Sequence, residues 1–218
     1  MALERPNLRK SAAAAIFLVT SFCVALTPAW AEPSRVVGFG DSLMAGYGLP
    51  AGQGFTDQLQ AALRAKGHEV EVANAGVSGD TTSGGLARLD WSVPDNTDLV
   101  ILELGANDML RGLPPEAAEK NLDAMLARLQ ARNIPVLLAG MRAAPNLGPD
   151  YVARFEGMYP RLAEKYGVPL YPFFLDGIEP GSNMFLEDRM HPNREGIARM
   201  VERALPAVEA LLPKPGAS

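Results

Sequence analysis

The chain has 218 residues, 48% of them hydrophobic and 21% charged, with a formal net charge of −5. That is the size and composition of one globular domain, long enough to bury a sizeable core without disulfides. An acidic chain without basic clusters argues against nucleic acid as the main partner, and a single cysteine rules out a disulfide framework.

In chain order, the first segment to explain is the N-terminus. Arg5, Arg9 and Lys10 precede the uncharged apolar run "SAAAAIFLVTSFCVAL" (11–26), and "TPAWA" follows, with Ala29 and Ala31 in a small-x-small pattern. This is the layout of a secretory signal peptide cleaved after Ala31. The 16-residue run is short against the ~20 residues a membrane span needs. Phe22 before Cys23 is too large for a lipoprotein cleavage site. The expected mature chain, from Glu32, holds no cysteine and carries a net charge of −7, because three basic residues and one acidic residue leave with the leader. It is expected to be exported, periplasmic or secreted, without a stable membrane anchor.

The rest alternates between apolar runs and helical patterns. "RVVGFG" (35–40), "EVEVAN" (69–74), "DLVILELG" (98–105), "IPVLLAG" (134–140) and "VPLYPFF" (168–174) read as strands, most of them too continuously apolar to have a solvent face. Phe55, Leu59 and Leu63 mark a helix between the first two. Leu122, Met125, Leu126 and Leu129 mark a second, with Pro114 and Pro115 suited to its first turn. Tyr151, Phe155, Met158 and Leu162 mark a third. A last helix carries Ile197, Met200, Val201, Ala204, Leu205 and Val208, and Pro206 is expected to kink it. Strands alternating with helices predict a parallel sheet covered on both faces by right-handed crossovers. Ligands then bind at the carboxyl ends of the strands, where the strand order reverses. The tail "PKPGAS" (213–218) is expected to be flexible.

Small and polar residues stand at those strand ends. The first strand runs into "GFGDSLMAGYG", the second into "NAGVSGDTTSGG", the third into "GANDMLRG", and "DRMHPN" precedes the last helix. There are two histidines. His68, where a helix turns into a strand at the opposite edge, reads as a surface turn residue. His191 follows Asp188 by three residues, so the carboxylate can accept from Nδ1–H and leave Nε2 free to take a proton. Alone, that spacing is also common in loops that precede a helix cap.

Ser42 has three readings from its own segment: an N-capping serine, part of a phosphate loop, or a nucleophile. The phosphate loop is disfavoured, because the segment lacks the P-loop lysine, its glycines do not follow G-x-G-x-x-G, and Asp41 would repel a phosphate. A serine hydroxyl attacks only with a base beside it, and acyl transfer also needs donors for the oxyanion. The Gly79 amide and the Asn107 side chain are candidates; a turn glycine and a helix start are the plain alternatives. No His pair or Cys cluster has metal-ligand spacing.

The four blocks "GDSLMAGYGL" (40–49), "NAGVSGDTTSGGLARL" (74–89), "LELGANDMLRG" (102–112) and "DRMHPN" (188–193), in this order, resemble the GDSL, or SGNH, hydrolase family. The likeness extends from Arg35 to Leu212 and is strongest to exported bacterial esterases of the thioesterase I, lysophospholipase and arylesterase type. The resemblance implies a flavodoxin-like three-layer α/β/α fold with a doubly wound, five-stranded parallel sheet over residues 32–212. It implies Ser42 as nucleophile, His191 as base, Asp188 as its partner, and an oxyanion hole of Ser42, Gly79 and Asn107. It implies no metal and no organic cofactor, and small acyl esters or lysolipids as substrates; a monomer is the default expectation. Asp41 and Asp108 read as loop organisers, and Arg111 as a solvent residue or a contact for an anionic leaving group. Met109, Leu110 and Ile178 are the candidate acyl-contact residues, with Leu113, Phe173, Phe174, Met184 and Phe185 near them. A carbohydrate O-acetylesterase and a non-catalytic binding protein on the same scaffold are the rival readings.

Overall fold

The computed structural model describes residues 32–214, together with Met1. The leader expected over 1–31, Met1 apart, and the last four residues of the tail lie outside the described residues.

Five parallel strands form one sheet in the order β2-β1-β3-β4-β5. They are β1 (Ser34–Gly40), β2 (Val70–Gly76), β3 (Leu99–Glu103), β4 (Val136–Ala139) and β5 (Leu170–Tyr171). The last five residues of β1 and all of β3 and β4 are buried, as their continuous Val, Ile and Leu content requires of central strands. β2 alternates in sequence and lies at the edge, with only Val70 fully buried.

The helices are α1 (Ser42–Ala45), α2 (Phe55–Ala65), α3 (Thr82–Ser92), α4 (Ala106–Leu110), α5 (Pro115–Ala131), α6 (Pro149–Tyr166) and α7 (Arg194–Glu209). The crossover through α2 steps one way along the sheet, and those through α3, α5 and α6 step the other way. Right-handed connections therefore put α2 on one face and the other three on the opposite face. The packing agrees: α2 lies against α7, whereas α5 lies against both α3 and α6. Phe39, Phe55, Leu59, Leu102, Leu122, Phe155 and Met200 are fully buried between these layers. The expected three-layer doubly wound sheet is thus the observed one, and the order reverses between β1 and β3.

Two local expectations need correction. β5 is two residues long rather than seven, because Pro169 and Pro172 flank it and lack the N–H a ladder needs. Pro206 lies inside the last helix, which runs to Glu209. His68 is buried rather than a surface residue, with Nε2 3.2 Å from Glu209 Oε1 on α7.

One helix begins inside the glycine-rich segment after β2. Thr81 caps α3 by accepting from the Gly84 amide at 3.3 Å. Gly85 lets that helix press onto the sheet: a Cβ there would lie 2.3 Å from Leu104 and 3.3 Å from Phe39. The close approach outweighs glycine's poor helix propensity.

Candidate active site

β1 delivers Ser42 to the carboxyl edge of the sheet, beside the reversal point, as the first residue of α1. His191 comes from the loop before α7. Its Nε2 lies 2.9 Å from Ser42 Oγ, and its Nδ1 lies 2.7 Å from Asp188 Oδ2. The other Asp188 oxygen accepts from the amides of Met190 at 2.9 Å and His191 at 3.0 Å. Those two amides, His191 first, and then the imidazole hold the carboxyl down at about 2. An ionised carboxylate only accepts, so Nδ1 carries the proton and Nε2 faces the serine hydroxyl as an acceptor.

Backbone bonds fix the histidine loop. Leu186 N donates to His191 O at 2.8 Å, and Phe185 bridges to Pro192. Asn193 caps α7 through Gly196 N at 3.0 Å and donates back to Asn183 O at 2.7 Å. The Tyr47 ring stands 4.5 Å from the imidazole, tilted by 38°.

Ser42, Gly79, Asn107 and His191 all line one cavity of about 390 Å³, within the size range of small-molecule sites. The structure thus brings together the five residues assigned from sequence. Gly79 adopts φ +84, a left-handed conformation that a side chain would strain. Its carbonyl accepts from Arg111 Nη2 at 2.7 Å. Arg111, read from sequence as facing solvent or a leaving group, therefore ties α4 to the glycine loop.

Asn107 donates through Nδ2 to Asp41 Oδ2 at 2.9 Å, which leaves its second amide hydrogen for a ligand. Asp41 is fully buried, and its Oδ1 accepts from Leu43 N at 3.0 Å. Burial pushes its carboxyl up to about 6, against the opposing pull of the Leu43 amide and the Asn107 side chain. Behind it lies Glu103, also buried, with Oε1 unpartnered and Oε2 3.3 Å from the Asp41 amide. Burial, then the Asp41 charge, push Glu103 well above the ordinary carboxylate range, so it is the neutral member of the pair. Asp108 is buried too and accepts from Thr82 N at 2.8 Å and Thr82 Oγ1 at 2.7 Å. Both aspartates hold loops, in keeping with their sequence reading.

Sequence reasoning missed the strut beneath the glycine loop. The buried Arg88 donates to Asp80 at 2.6 Å, to Ala75 O at 2.8 Å and to Gly40 O at 2.9 Å, and its guanidinium sits 4.1 Å from the Phe39 ring centroid. It thereby connects the ends of β1 and β2. An arginine in the glycine block, eight residues after an aspartate, is the signal that could have found it.

Of the apolar candidates, Met109, Leu110 and Phe173 line the cavity. Ile178 does not: it is a core residue packed beside Gly196 of α7. Phe174 is buried against Phe55, Met184 and Phe185 pack on the core, and Leu113 lies outside the lining. Ile178, Phe174, Met184 and Phe185 follow β5 in sequence but pack into or onto the core, whereas Leu113, after α4, is exposed. Conversely, Tyr47, Met141, Arg142, Leu175 and Met190 line the cavity unanticipated. Among the described residues no cluster of His, Cys, Asp and Glu could hold a metal, and no helix is long and apolar enough to cross a membrane.

A doubly wound sheet with an Asp–His–Ser chain of hydrogen bonds at its reversal point defines a serine hydrolase. The comparisons name its family. Residues 39–199 match the model of the GDSL-like Lipase/Acylhydrolase family. The chain is 38% identical to Esterase TesA of Pseudomonas aeruginosa over 200 residues, covering 89% of this chain and 98% of that protein. It is 39% identical to an arylesterase of Vibrio mimicus over 192 residues, covering 86% and 95%. The crystal structure of AlinE4, an esterase of the SGNH-hydrolase family, superposes with a TM-score of 0.71 at 46% identity, covering 85% of this chain and all of that one. The chain belongs to the GDSL-like lipase/acylhydrolase family and is an acyl hydrolase.

Proposed function

We propose that the protein cleaves carboxylic esters, aryl and alkyl, through an acyl-enzyme on Ser42. The observation that carries this is the continuous chain Asp188–His191–Ser42, with spacings of 2.7 and 2.9 Å, opening onto a largely apolar cavity. His191 Nε2 takes the hydroxyl proton as Oγ attacks the carbonyl carbon, and Asp188 stabilises the imidazolium that forms. The oxyanion meets the Ser42 and Gly79 amides and the free hydrogen of the Asn107 amide. The imidazolium then protonates the leaving group, and water releases the acid by the same steps. The chain itself supplies every group these steps use.

Met109, Leu110 and Phe173 give the acyl chain an apolar wall, which favours alkyl and aryl acyl esters over carbohydrate acetates. Thioesters and lysophospholipids present the same carbonyl and are further substrates in this reading. Residues 1–31 are a cleaved signal peptide, and the mature enzyme works outside the cytoplasm as a monomer. The test is Ser42→Ala assayed on 4-nitrophenyl esters of graded chain length. It is expected to fold as the wild type does and to lose nearly all hydrolysis; wild-type turnover by this variant would refute the mechanism.

A further inference from the structure

The cavity holds a cation that the acyl-transfer mechanism does not use. Arg142 follows β4, and its guanidinium carbon lies 4.5 Å from the Phe173 ring centroid, with both side chains lining the cavity. Seven of the thirteen arginines among the described residues are ion-paired with carboxylates, whereas Arg142 forms no ion pair and its side chain donates to no group among the described residues. Glu156, which borders a neighbouring cavity with Arg142, accepts from the Ala143 amide through Oε1 at 3.1 Å.

The sheet sets the distance from the serine. Phe39 of β1 pairs with Leu102 of β3, and Leu102 pairs with Leu138 of β4. Ser42 is three residues beyond Phe39 and Arg142 is four beyond Leu138, so both leave the sheet at nearly the same level. The strands they follow lie two spacings apart, about 10 Å. Met109 and Leu110, after β3, occupy the interval. An apolar path thus runs from the reacting carbonyl to a guanidinium whose donors face no protein acceptor.

We propose that Arg142 is a specificity residue that receives an anionic group, a carboxylate or a phosphate, carried by the substrate about two strand spacings from the scissile carbonyl. The inference rests on the acyl-enzyme reading of Ser42. Phe173 holds the guanidinium plane by stacking, and the planar fork suits two parallel bonds to such an anion. The anion resides on the acyl chain or on the alcohol.

Two substrate pairs separate these sources. One is a 4-nitrophenyl ester ending in a methyl group against an equal-length ester ending in a carboxylate. The other is a monoacylglycerol against its phosphate-bearing lysolipid. The measured quantity is the ratio of kcat/KM, anionic over neutral, for the wild type, Arg142→Gln and Arg142→Lys. Arg142→Gln is expected to lower the ratio about tenfold in one pair, which names the source, and Arg142→Lys to restore part of it. The wild-type ratio in that pair falls as salt is added. Ratios within twofold of wild type in both pairs, from variants that still turn over the neutral esters, would overturn the inference and leave the acyl-enzyme reading intact. A wild-type enzyme inert on all four substrates would overturn both.

Discussion

Asp41 offers a measurement in which the magnitude follows from burial. The carboxyl is fully buried and held at about 6, against an ordinary value of 3.8, chiefly by desolvation. Between those two values the native state binds the proton and the unfolded chain releases it. Wild-type stability therefore falls as the pH rises through this window, and above it the ionised form bears the whole penalty. A shift of about two units at about 1.4 kcal/mol each amounts to roughly 3 kcal/mol. Asp41→Asn keeps the shape and removes the titration. It also has one acceptor oxygen for two donors, so either the Leu43 or the Asn107 amide loses its partner, at about 1–3 kcal/mol independent of pH. Glu103 is also raised, chiefly by its own burial, and contributes to the slope of both proteins, so the comparison is made as a difference between them. The stability difference, variant minus wild type, is thus expected to climb by about 3 kcal/mol between about pH 3.5 and 6.5 and then level off. Urea unfolding at pH 4, 5, 6 and 7 measures it. Meanwhile kcat on an aryl ester falls roughly tenfold or more, less than the ~10²–10³ for deleting an oxyanion donor, because the Asn107 amide is loosened rather than lost. A pH-independent stability difference would refute the assignment of a buried, ionised Asp41.

Two further outcomes follow from the same geometry. Asp188→Asn offers the imidazole an amide donor where a carboxylate stood, favouring the tautomer that protonates Nε2; kcat is expected to drop by roughly 10²–10⁴ with little change in the unfolding midpoint. Since Asp188 is held at about 2 by the His191 and Met190 amides, it keeps its charge from pH 7 to 4, and an acid limb in kcat over that range that survives in Asp188→Asn belongs to another group. Arg88→Met strips the donor from the carbonyls of Gly40 and Ala75 and leaves Asp80 uncompensated, which is expected to cost about 3–5 kcal/mol. Thermal unfolding checks this, and a Tm within a degree of wild type would contradict the strut described for Arg88.

The sequence by itself determined the architecture, because the patterns that set it are local, and it offered the candidate reacting groups. Short continuous Val, Ile and Leu runs bounded by turn residues read as strands buried on two faces, as β1, β3 and β4 are, and the i, i+4 pattern of Phe55, Leu59 and Leu63 reads as one face of a helix. Ser42, Asp188, His191, Gly79 and Asn107 stood out through the four blocks that resemble the GDSL family, since each alone also reads as a cap, a turn or a helix start. What the tertiary structure decided are properties of side chains that meet across long sequence gaps. Ile178 faces the core and Arg142 the cavity because of how the turns after β5 and β4 aim them, and prolines cut β5 to two residues. His68 is buried because α7, some 140 residues later, folds over it. Asp41 and Glu103, 62 residues apart, become one buried pair only when β1 and β3 lie side by side. Their titration depends on desolvation, and desolvation exists only once the layers have closed.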